Sequence, residues 1–264
     1  MNRKPIGVFD SGIGGLTVYR ALKQKLPRER VIYLGDTARL PYGSKSEATI
    51  IRFSEENARF LLRHQVKMIV VACNSSSSYA VPRLQASLDV PVIGVIEPGA
   101  EAAVAASRKK VGVIGTSATI MSGAYEEAIR KRNPRLEIIS RDCPLFVPLV
   151  EEGWRDHPVT RMVVEEYLVP LRDEGIDSLV LGCTHYPVLS EVIAGVMGEG
   201  IRLIDSGVTT AVQVESILES LGWINSGEPD GEDGFFVTDF PERFRRVGGI
   251  FLNKNIPRVA VAEE

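Results

Sequence analysis

Short apolar runs alternate along the chain with segments whose apolar positions recur at helical spacing. Ile6-Gly7-Val8-Phe9 is a first predicted strand, and 16–26, after a cluster of glycines, a first helix. Val31-Ile32-Tyr33-Leu34 is the next strand. Ile50, Ile51, Phe53, Ala58, Leu61 and Leu62 mark an amphipathic helix over 47–63. The stretches 68–72 and 92–96 are continuously apolar, the form a strand takes when helices cover both faces of a parallel sheet. This alternation predicts an α/β fold with mainly parallel sheets.

The pattern also repeats. Ile6-Gly7-Val8-Phe9-Asp10-Ser11 resembles Val111-Gly112-Val113-Ile114-Gly115-Thr116, 105 positions on, and Ile69-Val70-Val71-Ala72-Cys73-Asn74 resembles Leu179-Val180-Leu181-Gly182-Cys183-Thr184, 110 positions on. Leu61 and Val66 likewise fall on Leu171 and Ile176. The reading is two similar α/β domains, each placing a cysteine just past a strand. Ligands bind outside the carboxyl ends of parallel strands, so two facing units would share one cleft. From Gly207 a tail follows, with a helix at 210–221, a polar, glycine-rich loop at 225–234 and a late strand Phe235-Phe236-Val237. Packed back onto the first unit, it gives a discontinuous first domain, 1–97 plus 207–264, and a second domain, 98–206.

Composition narrows the classes. A chain of 264 residues holds about two domains, and 44% hydrophobic with 25% charged residues is ordinary for a globular protein. A net charge of -3 gives no footprint for nucleic acid or an anionic membrane, and no apolar run approaches bilayer length. The apolar stretch after Met1-Asn2-Arg3-Lys4-Pro5 ends at Asp10, too short for a signal-peptide core. A cytoplasmic location is therefore expected, with Cys73, Cys143 and Cys183 as reduced thiols.

Several residues then stand out. Asp10-Ser11-Gly12-Ile13-Gly14-Gly15 is a strand-to-helix turn that lacks the dinucleotide fingerprint, having Thr17 where its last glycine would stand, and lacks a phosphate-loop lysine. It suits a small anion such as a carboxylate, or it is only a tight turn. A cysteine after a buried strand is more often core, and Cys143 beside Pro144 reads so. Cys73 and Cys183 are followed by polar groups, Asn74-Ser75-Ser76 and Thr184-His185, which suit a lined cleft better. Cys183-x-His185 is too tight for the usual zinc spacing, and no compact set of four metal ligands exists, so no metal is expected. A Cys–His hydrolase would leave the second, equivalent cysteine unexplained. Two thiols do suit inversion of an amino acid's α-carbon, one removing a proton and the other delivering one to the opposite face. Asp10 and His185 are the candidate activators, one per unit. His185 lies on the side of Cys183 if the chain is extended there.

These residues resemble the glutamate racemases, within the aspartate/glutamate racemase superfamily. The resemblance covers essentially the whole chain. It rests on Phe9-Asp10-Ser11-Gly12-Ile13-Gly14-Gly15-Leu16-Thr17, Gly35-Asp36-Thr37-Ala38-Arg39-Leu40-Pro41-Tyr42-Gly43, Val71-Ala72-Cys73-Asn74, Pro148-Leu149-Val150-Glu151 and Leu181-Gly182-Cys183-Thr184-His185-Tyr186-Pro187. It implies two α/β domains around a cleft, Cys73 and Cys183 as the two acid/base residues, and no pyridoxal phosphate or other cofactor. By the same resemblance Asp10, Ser11, Pro41, Tyr42, Gly43, Asn74, Ser75, Thr184 and His185 contact substrate or tune the thiols, with Glu151 as a helper. Such an enzyme supplies D-glutamate for peptidoglycan synthesis. Ser75 stands where the family usually has threonine, keeping the hydroxyl without the methyl. The implied partner is a small molecule, glutamate, with no nucleic acid or membrane; a homodimer stays open. Racemisation of aspartate or another acidic amino acid, and a non-catalytic inhibitor on the same fold, are the competing readings. Cysteines in both units argue against the second.

Overall fold

The computed structural model describes residues 2–229, 231–252, 254–256 and 258–263. Asp230, inside the predicted polar loop, and residues 1 and 264, the ends of the predicted first domain, lie outside the described residues. In chain order the strands are β1 (Ile6–Asp10), β2 (Val31–Gly35), β3 (Met68–Val71), β4 (Val92–Gly94), β5 (Lys110–Gly115), β6 (Glu137–Asp142), β7 (Ser178–Gly182), β8 (Arg202–Asp205), β9 (Gly234–Val237) and β10 (Ala260–Val261). They form two sheets, of order β10-β9-β2-β1-β3-β4 and β6-β5-β7-β8, in which every described pairing is parallel. The apolar stretch at 92–96 divides, because the strand stops at Gly94 and Ile96 already opens the helix Ile96–Ala106.

The repeat is visible in this topology, for β2-β1-β3-β4 and β6-β5-β7-β8 share one order. Even the register matches. Ile6 pairs with Met68 and Val111 with Ser178, the same offsets of 105 and 110 that the sequence shows. Gly7 and Gly112 explain why neighbouring residues repeat too. A β-carbon on Gly7 would lie 3.0 Å from Val66 and 3.2 Å from Leu61, and one on Gly112 would lie 2.5 Å from Ile176 and 3.3 Å from Leu171. Each glycine is the floor on which an equivalent apolar pair packs.

Apolar side chains from both units meet in one continuous core. It runs from Val8, Leu16 and Val70 through Val214 and Leu218 to Leu168, Leu181 and Tyr186, all essentially buried. The helix Ser206–Ser220 supplies the middle of it. Asp205 caps that helix, its side chain accepting the Gly207 N–H at 2.8 Å, and Val214 and Leu218 are fully buried. The tail returns to the first sheet, where β9 pairs with β2. Among the described residues no helix is long and apolar enough to cross a membrane.

Candidate active site between the two sheets

Both repeat cysteines leave the carboxyl end of a buried central strand. Cys73 follows β3 and caps the helix Asn74–Tyr79, its sulfur accepting the Ser76 N–H at 3.5 Å. Cys183 follows β7 directly. The two line a single cavity of about 30 Å³, room for no more than a few waters. Ser11, Pro41, Tyr42, Gly43, Asn74, Ser75, Glu151, Thr184 and His185 line it as well. Asp10 sits beneath this surface, fully buried, its Oδ2 accepting the Gly12 N–H at 3.0 Å and its Oδ1 accepting the Thr184 hydroxyl at 3.4 Å.

The wall carrying Cys183 is a chain of polar contacts. Cys183 Sγ lies 3.9 Å from His185 Nδ1, His185 Nε2 lies 3.1 Å from Glu151 Oε1, and Arg243 donates to Glu151 Oε2 at 3.2 Å. The chain is not extended at His185, whose φ of -79 and ψ of -29 are helical. A tightening turn, not an extended strand, brings the ring back to the sulfur. Burial pushes the His185 imidazole down, but Cys183 and Glu151 together outweigh it and raise its pKa from 6.5 to about 10. Glu151 is held below its ordinary value despite burial, by the His185 hydrogen bond and charge and by Arg243.

This pairing has a pH signature. A folded pKa raised above the unfolded value means stability that is complete below about 6.5 and lost as pH rises through about 10. Urea denaturation of wild type and His185→Asn across that range isolates it. The wild type's advantage shrinks steadily from neutral pH toward about 10. An advantage that is constant with pH would show that His185 is not held as an imidazolium.

The Cys73 wall is electrostatically opposite. Burial raises this thiol, the Asp10 charge raises it further, and hydrogen bonds from Ser76 and Ser11 only partly oppose them, leaving it at about 11. The start of a six-residue helix favours a thiolate, but here desolvation wins. Burial, with the Asp10 charge adding to it, therefore holds the proton on Cys73. Asp10 itself is raised, chiefly by burial.

The walls are tied across the interface. The Thr17 hydroxyl contacts the Thr184 carbonyl at 3.0 Å, and a β-carbon at Gly14 would lie 2.3 Å from Thr184 Oγ1 and 2.4 Å from His185 Nδ1. Gly14 is thus glycine for room at the cleft. Ser75 Oγ meets Thr116 Oγ1 at 2.9 Å and Thr119 Oγ1 at 3.3 Å, joining hydroxyls of both units. The Tyr42 ring lines the cavity, but its hydroxyl donates to Asp36 and accepts from Asn57 at 3.2 Å. Cys143 is buried behind the site, and the Tyr186 hydroxyl donates to its carbonyl at 2.9 Å. Sequence reasoning passed over Thr116, which stands opposite Ser11 in the repeat, and so had a signal for it. It had none for Thr119, Val147 or Arg243. Among the described residues no group of three or more His, Cys, Asp or Glu is placed to hold a metal ion.

A family model described as Asp/Glu/Hydantoin racemase matches residues 6–214. The glutamate racemase of Geobacter metallireducens is 50% identical over 250 residues, which are 94% of this chain and 93% of that one. The crystal structure of Francisella tularensis glutamate racemase in complex with D-glutamate superposes with a TM-score of 0.93 at 41% identity, covering 100% of this chain and 98% of that one. An aspartate racemase homologue from Pyrococcus horikoshii superposes with a TM-score of 0.57 at 16% identity over 82% of this chain and 99% of its own, a likeness of fold alone.

Proposed function

The chain belongs to the Asp/Glu/Hydantoin racemase family, and from that premise we propose that it interconverts L- and D-glutamate, moving a proton across the α-carbon between Cys73 and Cys183 without a cofactor. The product D-glutamate serves peptidoglycan synthesis in the cytoplasm. One observation carries the mechanism: two cysteines from equivalent positions of two repeated units line one small, buried cavity.

The chemistry follows from what surrounds each thiol. Abstraction of an α-proton needs a base kept from bulk water, and a cavity of about 30 Å³ leaves room for no more than a few waters. Glutamate is larger than this space, so the walls part to admit it and close around it. On the Cys183 side, the His185 imidazolium lies against the sulfur and Glu151 fixes the ring. On the Cys73 side the site holds a protonated thiol ready to donate. The substrate's α-ammonium, brought beside Asp10, offsets the Asp10 charge and so favours this thiol as base in the reverse direction, against the larger effect of its burial. Asn74, Ser75, Thr184 and the Ser11 turn offer donors to the carboxylates, with Pro41, Tyr42 and Gly43 closing the cavity. The division into 1–97 plus 207–264 and 98–206 goes with this reading, supported by how the strands divide between the sheets.

Chiral chromatography of purified protein incubated separately with L-glutamate and L-aspartate, without added cofactor, tests the substrate. Glutamate approaches equal amounts of both enantiomers while aspartate is nearly untouched. Equal or faster turnover of aspartate would overturn the substrate and leave the two-thiol mechanism standing.

A further inference from the structure

Behind Asn74 lies a residue of the other unit that does not reach the cavity. Tyr125, in the helix Ala124–Arg132, is buried, and its hydroxyl donates to Asn74 Oδ1 at 2.7 Å. The ring is seated between two glycines. A β-carbon on Gly99 would lie 3.1 Å from its Cε1, and one on Gly182, the residue before Cys183, would lie 3.1 Å from its Cε2. Tyr125 therefore bonds the residue that follows Cys73 and packs against the residue that precedes Cys183, the last of β7.

An asparagine amide has a donor end and an acceptor end, and nothing in its shape chooses between them. Here Oδ1 is engaged by Tyr125, and among the described residues Asn74 Nδ2 is buried without a hydrogen-bond partner, although Asn74 lines the cavity. A buried, unpaired donor is costly unless a ligand satisfies it. Glutamate's only strong acceptors are its carboxylate oxygens, since its ammonium can only donate. With the amide reversed, Oδ1 would face a carboxylate, acceptor against acceptor.

We propose that Tyr125 is a positioning residue: it fixes the Asn74 amide so that Nδ2 donates to a substrate carboxylate. The inference rests on the reading of Asn74 as a substrate-binding residue. A contact to a carboxylate is present in ground and transition states alike, so its loss raises KM and leaves kcat. A merely structural tyrosine would instead lower kcat and thermal stability together.

The test is steady-state kinetics with both enantiomers of glutamate, alongside thermal unfolding, for Tyr125→Phe, Asn74→Ala and the double variant. Tyr125→Phe raises KM about tenfold in both directions, the scale of a weakened hydrogen bond to a charged group, with kcat near wild type. Added to Asn74→Ala it changes nothing further, because the group it orients is gone. Gly99→Ala, which crowds the ring and suits its helix, raises KM in the same direction and serves if the phenylalanine variant does not fold. A wild-type KM in Tyr125→Phe, or a full further effect in the double variant, overturns the proposal. A wild-type KM in Asn74→Ala removes the binding role of Asn74 and with it that of Tyr125, while racemisation by the unaltered protein stands.

Discussion

With either thiol replaced by a hydroxyl, in Cys73→Ser or Cys183→Ser, racemisation falls by roughly 10²–10⁴-fold in both directions, the range over which a positioned acid or base contributes. A hydroxyl is far weaker than a thiol as an acid near neutral pH, and its anion is correspondingly inaccessible. Isotope transfer distinguishes two thiols from one shuttling base. In heavy water, early D-glutamate made from unlabelled L-glutamate carries deuterium at the α-carbon, delivered by the thiol that exchanged with solvent beforehand. The L-glutamate still present carries almost none, because the abstracting thiol returns the proton it took. Substantial α-protium in the product, or a serine variant that racemises normally, would sink the two-thiol assignment.

Replacing the imidazole has the next largest effect. His185→Asn keeps a polar group beside Cys183 but cannot be an imidazolium, and turnover drops by about 10²-fold or more. The form of the loss is constrained. Two enantiomers have equal free energies in water, so the equilibrium constant is one, and kcat/KM must fall equally in both directions whichever wall is damaged. Only kcat and KM taken separately can differ between directions, and damage confined to the Cys183 wall predicts that they do. Progress curves from both enantiomers, with initial rates at saturation, measure this. Near wild-type turnover in the variant would remove His185 from the chemistry.

The fold was legible where burial makes sequence uniform. The central strands β1, β3 and β7 are buried on both faces, so their apolar runs and their repeat could be read directly. Edge strand β6 is mostly half-buried and carries Ser140, Arg141 and Asp142, so no apolar run announced it. The site divides on similar lines. Cys73, Cys183, Asp10 and His185 stand at strand ends, where a polar group after an apolar run is conspicuous. Arg243 lies in Pro-Glu-Arg-Phe-Arg-Arg, on a helix where exposed arginines are ordinary. Only the fold reveals that this one ends on Glu151. His185 was found for a partly mistaken geometric reason, since the turn that returns it to Cys183 is helical.

The last long helix, Pro241–Leu252, meets the Cys183 wall of the cavity at two points: Arg243 on Glu151, and Phe251 edge-on to the His185 ring at 5.4 Å. During synthesis these residues leave the ribosome long after both cysteines. A nascent chain that has already made Cys73 and Cys183 still lacks β9 from its first sheet, the Arg243 contact to Glu151 and the Phe251 contact to the imidazole. The surroundings of the His185–Glu151 pair are thereby completed only once this helix has been made and packed.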